Sequence, residues 1–144
     1  MEFLDVNEVL KDIREKIGEG RRLNLFKTPN LHTWLLYFPP GDVQRMHNHP
    51  SDRTYYVVTG RGIMRGPNQK EDLAPGKVIN IAAGEYYEGS NPFDEPLVLL
   101  GNSHKPTAED VAKIGGLRSE IDGNTGKKIA YKHGGGRDTG KAIE

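Results

Sequence analysis

His47 and His49 are the residues of this 144-residue chain whose type and spacing most directly suggest chemistry. Side chains two apart on an extended strand share one face, so both imidazoles would project together. Two imidazoles on one face provide two legs of a facial site for a divalent metal, with positions left for substrate or oxygen. The other reading is a hydrogen-bonded pair without metal, one histidine serving as acid or base. Other chemistries are poorly supplied. The chain has no cysteine, which removes a thiolate nucleophile, a disulfide framework and any cysteine-ligated zinc or iron–sulfur centre. No Gly-x-Ser-x-Gly elbow is present. The glycine-rich run from Gly134 to Lys141 has some likeness to a phosphate-binding loop but lacks the buried strand and helix such a loop joins.

The elements that would position these histidines are short strands. Leu23–Phe26, Thr33–Phe38, Thr54–Thr59, Ile63–Arg65, Lys77–Ile81 and Leu97–Leu100 are apolar, aromatic or β-branched and are separated by turn residues such as Pro39-Pro40-Gly41-Asp42 and Pro75-Gly76. That even spacing predicts an all-β sandwich or barrel. One helical stripe precedes them: Val6, Val9, Leu10, Ile13 and Ile17 fall on one face, with Lys11, Asp12, Arg14 and Glu15 opposite. Asp5 and Glu8 resemble a capping box, and Gly18 and Gly20 suit a stop. Residues 105–144 have a different texture. Glu109–Ile114 suits a helical turn or two, Ile121–Ile129 a hairpin, and Gly134–Gly140 a flexible stretch. This part reads either as a solvated tail or as an arm across a second subunit.

Bulk properties narrow the classes further. Twenty Lys and Arg balance twenty Asp and Glu, so no global field favours nucleic acid or an anionic membrane, and neither is expected as a partner. The longest apolar runs are strand length, far short of a membrane span. The first residues, Met1-Glu2-Phe3-Leu4-Asp5, lack a basic segment followed by an apolar one, so a cytoplasmic location is expected.

From Gly41 to Asn91 the spacing resembles the two motifs of the cupin superfamily. Gly41, five residues, His47-Asn48-His49, three residues, Arg53, six residues and Gly60 follow the first motif, with Arg53 where the family has glutamate. Gly76, five residues, Ala82-Ala83-Gly84, two residues, Tyr87, three residues and Asn91 follow the second, with Ala82 for proline and Tyr87 for histidine. Seven of the ten specified positions match, and the 15 residues between Gly60 and Gly76 are a spacer of microbial length.

The resemblance implies an antiparallel double-stranded β-helix barrel over residues 21–104. An N-terminal amphipathic helix (1–20) would precede it and a C-terminal extension (105–144) would follow, and the assembly implied is a homodimer. It also implies a divalent metal (iron, nickel, manganese or zinc) on His47 and His49, with Tyr87 or His104 as a third ligand. Arginine cannot ligate, so Arg53 would instead clamp an anionic group of the substrate as a guanidinium fork. Tyr87 would transfer a proton if it is not a ligand, while Tyr55 and Trp34 would line the substrate. Asp52 should point away from a cavity that Arg53 enters, and His32 reads as a surface or core histidine. The function implied is a small-molecule metalloenzyme (dioxygenase, decarboxylase, lyase or isomerase) acting on an anionic metabolite in the barrel. The alternative is a metal-free cupin that binds, senses or epimerises an anionic metabolite or sugar.

Overall fold

The computed structural model describes residues 1–116, 119–121 and 128–129. Its main sheet has the order β1–β2–β9–β4–β7, formed by Arg22–Lys27, Leu31–Phe38, Leu97–His104, Arg53–Thr59 and Val78–Ile81, with every neighbouring pair antiparallel. Facing it are two three-stranded ladders. One is β6–β5–β8 (Gln69–Leu73, Gly62–Gly66, Glu88–Ser90) and the other β11–β10–β3 (Lys128–Ile129, Ser119–Ile121, Met46–Asn48). The bridges Val43↔Ser90 and His47↔Tyr87 join the two ladders, so the second layer runs continuously from β6 to β11.

Strand alternation divides the core in two. Trp34, Leu36 and Phe38 of β2, Tyr55 and Val57 of β4, and Leu97 and Leu99 of β9 turn inward and are buried with Met64, Leu73, Ile81 and Tyr87. Leu35, Tyr37 and Val98 turn outward and are buried against the N-terminal segment through Val9 and Ile13. Each fully buried aliphatic side chain of this kind contributes about 1.5–3 kcal/mol. The apolar stripe therefore does pack on the outside of the sheet. It is not one continuous helix, however: α1 (Val6–Leu10) and α2 (Ile13–Ile17) are separated at Lys11 and Asp12. Asp12 leaves helical geometry (φ −131°, ψ 24°), which re-aims the second turn so that Ile13 and Ile17 still meet the sheet. Asp5 caps α1 by accepting from the Asn7 N–H.

In the C-terminal part β10 pairs with β3, aligning Glu120 with His47, while β11 pairs with β10 as the hairpin expected there. The helix after Pro106 is α3 (Ala108–Ile114), with a capping box between Thr107 and Asp110. The glycine-rich stretch Gly134–Gly140 lies outside the described residues.

Gly101 of β9 faces the indole of Trp34, and a Cβ there would lie 2.5–2.8 Å from three of its ring atoms. Trp34 is fully buried. Gly101→Ala is expected to destabilise the protein by about 1–3 kcal/mol, as overpacking does. Urea denaturation reads this as a lowered midpoint; an unchanged midpoint would show that the indole yields.

Candidate functional site

The site is built where β3 meets the start of β8. The His47 N–H donates to the Tyr87 carbonyl at 3.0 Å and the Tyr87 N–H returns a bond to the His47 carbonyl at 2.9 Å. Residues exchanging both bonds sit directly opposite, with side chains on the same face. Their rings accordingly lie 4.3 Å apart, and the His49 ring is 4.8 Å from that of His47 and 6.2 Å from that of Tyr87. The Gly84 N–H donates to the His49 carbonyl at 2.8 Å, which ties the end of β3 to the turn before Tyr87. His47 is fully buried, and its Nδ1 is 2.6 Å from the Arg45 carbonyl. A carbonyl only accepts, so Nδ1 carries a proton and donates.

Arg53 enters the barrel from β4 and is 6% exposed. Its Nη1 donates to the Tyr55 hydroxyl at 3.5 Å, and that hydroxyl lies 3.1 Å from the Tyr87 hydroxyl. Polar groups thus run from Arg53 through Tyr55 to Tyr87 across the buried core. Burial works to lower the pKa of Arg53, but Tyr87 and Tyr55, by charge and hydrogen bonds, outweigh it and leave the pKa raised. The guanidinium is a fixed cation. Beneath it lies Trp34, its ring centroid 5.4 Å from the guanidinium carbon. Among the described residues, the Arg53 Nε is buried without a hydrogen-bond acceptor.

Arg53 and His49 open onto a mouth cavity of about 160 Å³ whose lining also includes Arg22, His32, His104 and Lys105. Among the described residues no carboxylate lines it. A second cleft, about 370 Å³, lies on the other side between β5 and β7; Met64, Ile79 and Ile81 line it and Tyr87 closes it. Tyr87 thus borders this cleft and not the mouth.

The remaining expected residues are placed as follows. Tyr55 and Trp34 are buried behind Arg53 rather than in the lining of either cavity. His104 is exposed at the end of β9, its Nδ1 3.1 Å from the Lys105 carbonyl, and it reaches only the rim of the mouth. Asp52 points outward, as alternation requires, and its carboxylate accepts from the Ala83 N–H at 2.8 Å. Asn91 is fully buried and structural: its amide donates to the carbonyls of Phe38 and Glu95. Gly60 takes φ +84°, and a Cβ there would collide with the Pro96 carbonyl oxygen.

Several residues escaped the sequence reading. Glu120 is 2% exposed, stands opposite His47 and has a carboxylate oxygen 3.9 Å from Arg45 Nη1. Nothing local marks it, since its strand has three residues and its partner lies far back along the chain. Arg22 and Lys105, in the mouth lining, carry no motif that singles them out.

The wider comparison agrees with this geometry. Residues 34–101 match a cupin domain, from the inward Trp34 through both motifs to the glycine beneath its indole. An uncharacterised protein of Methanocaldococcus jannaschii is 30% identical over 77 residues, which are 53% of this chain and 62% of that protein. The crystal structure of TT1209 from Thermus thermophilus superposes with a TM-score of 0.63 at 26% identity, covering 74% of this chain and all of that one. A Klebsiella pneumoniae protein with a double-stranded β-helix domain gives 0.63 at 21%, covering 75% and 93%.

Cupins often hold a metal, and the donors here fit that poorly. Among the described residues no three His, Asp or Glu side chains converge on one point. The family's glutamate position holds a cation, which would repel a divalent ion in a low-dielectric cavity. The family's second-motif histidine position holds Tyr87, whose hydroxyl is directed to that of Tyr55.

Two measurements probe this arrangement. Tyr55→Phe and Tyr87→Phe should each cost about 1–2 kcal/mol by stranding the other hydroxyl. The double variant should cost less than the sum, since the contact between the two hydroxyls can be lost only once; strict additivity in urea denaturation would mean the hydroxyls do not interact. His32, half-buried, donates from Nε2 to Asn24 at 2.7 Å. Burial first, then the charges of Arg22, Lys27, Lys105 and Arg53, lower its pKa from 6.5 to about 4. Between those values the unfolded chain binds the extra proton, so this contribution is full above pH 6.5 and is lost as pH falls toward 4. His32→Gln should flatten the stability–pH curve in that window, and an unaltered slope would count against the assignment.

Proposed function

We propose that this protein takes up a small anionic metabolite in the mouth of its barrel without requiring a metal. The observation that carries the reading is Arg53, a buried guanidinium with an acceptor-less Nε at the edge of a cavity that no described carboxylate lines. A buried fixed cation is costly unless a counter-charge meets it, and a carboxylate offers the planar, bidentate match. His49 shares the mouth, while His47 and Tyr87 stand behind it. A metal-dependent oxygenase, decarboxylase, lyase or isomerase, which the family resemblance implies, would have only His47 and His49 as conventional ligands.

The test uses the full chain, purified without a histidine tag and compared before and after exhaustive chelation. Acetate and larger monocarboxylates should bind equally well in both states by calorimetry, and Arg53→Gln should weaken them at least tenfold. Near one metal per chain, lost in the His47→Ala/His49→Ala variant together with carboxylate binding, would overturn the reading in favour of a metalloenzyme.

A further inference from the structure

The cleft that Tyr87 closes shares no lining residue with the mouth. It lies between β5 and β6 on one side and β7 on the other, and its volume is about 370 Å³. A cavity of about 150 Å³ is enough for benzene, so this one admits a substituted ring. Its inner wall is apolar: Met64, Ile81 and Tyr87 belong to the buried core, and Ile79, partly buried, packs against them. The charged groups of the lining balance, with Arg65 and Lys77 set against Glu71 and Glu85. Each of them is already engaged. Arg65 Nη2 donates to both carboxylate oxygens of Glu88, at 3.0 and 3.1 Å. Lys77 Nζ donates to Glu71 at 2.7 Å, and Glu85 accepts from the Ala82 N–H at 3.0 Å. An ion entering here would shed its hydration without meeting an open counter-charge. One donor is left over: Arg65 Nε is buried and has no acceptor among the described residues.

We infer that this cleft is a separate binding site for a small neutral molecule, an apolar body of ring size carrying a carbonyl or hydroxyl oxygen. The apolar body lies on Met64, Ile79 and Ile81, and the oxygen accepts from Arg65 Nε. This site goes beyond the anion reading of the mouth and does not depend on it. Gly66 keeps the cleft open. It follows Met64 by two residues on β5 and lines the same space, so a side chain there would enter the cleft. Its backbone is not left-handed, and an added Cβ would meet the Tyr86 carbonyl oxygen at 3.4 Å, an ordinary contact. A larger residue at this position therefore suits the strand and fills the cleft.

The experiment is an amide NMR titration of the full chain at pH 7.5 with benzamide, benzoate and benzylammonium, which share a shape and differ in charge. Benzamide should shift the Gly66 and Ile79 amides to saturation, with a Kd read there at least fivefold below that of either ion. Gly66→Leu should abolish this response while leaving the urea midpoint and the binding of acetate at the mouth unchanged. Arg65→Lys keeps a cation for Glu88 but removes Nε. It should weaken benzamide at least threefold and leave toluene, which has no oxygen, unaffected; this variant decides the matter if Gly66→Leu does not fold. Either ion bound at Gly66 and Ile79 as tightly as benzamide would overturn the inference, as would benzamide binding that survives Gly66→Leu or is indifferent to Arg65→Lys. No shift at these amides with any probe would overturn it too, and acetate binding at the mouth would still stand or fall by itself.

Discussion

Two backbone hydrogen bonds between His47 and Tyr87 set the distance across which everything in this site operates. They are the joint by which β3 is tied to the strand that becomes β8, and so they decide that the residues at these positions face each other inside the barrel. Because the bonds involve main-chain atoms alone, they hold the geometry without regard to which side chains occupy the positions. The arrangement can thus keep a tyrosine where the cupin motif has a histidine without moving a strand. The scaffold preserves a constellation of positions, and the side chains there decide what the constellation can do.

At one of those positions the change is a reversal of sign. An arginine where the family has a glutamate alters the local charge by two units at a point shielded from water. The surroundings are consistent with the cation: the face of Trp34 lies beneath it, and the Tyr55 hydroxyl oxygen accepts from it. Binding such as this favours the charged form, and the upward shift of its pKa expresses the same fact. A barrel built to surround a metal needs anionic or neutral donors pointing inward. This one turns a permanent cation inward and adds others at its rim.

The fold was largely readable because period-two alternation survives in β2, β4 and β9, and because the motif spacing is tied to turns such as that at Gly60, which has no room for a side chain. The inward aim of Arg53 and the outward aim of Asp52 follow from that alternation alone. Other features were not legible. The break at Asp12 answers to the sheet that the helices wrap, which the local pattern does not encode. β3 and β8 are three residues each and carry no propensity signal; tertiary pairing makes them. β6, Gln69-Lys70-Glu71-Asp72-Leu73, is polar at four of five positions and is a strand because β5 supplies its hydrogen bonds. The linking of Arg22, His32 and Lys105 into one mouth is a three-dimensional coincidence of strand ends, and spacing along the chain gives no hint of it.

The pairing of β10 with β3 has a temporal meaning as well as a spatial one. The barrel strands from β1 to β9 can associate as soon as residue 104 is available, yet the outer edge of the histidine-bearing strand stays bare until residues 119–121 arrive. During vectorial synthesis, then, the wall beside His47 is the last part of the site to form, and Glu120 is delivered to a pocket whose other walls already stand. Until that moment the nascent chain exposes an unpaired strand edge, the kind of surface by which one unfinished chain can capture another.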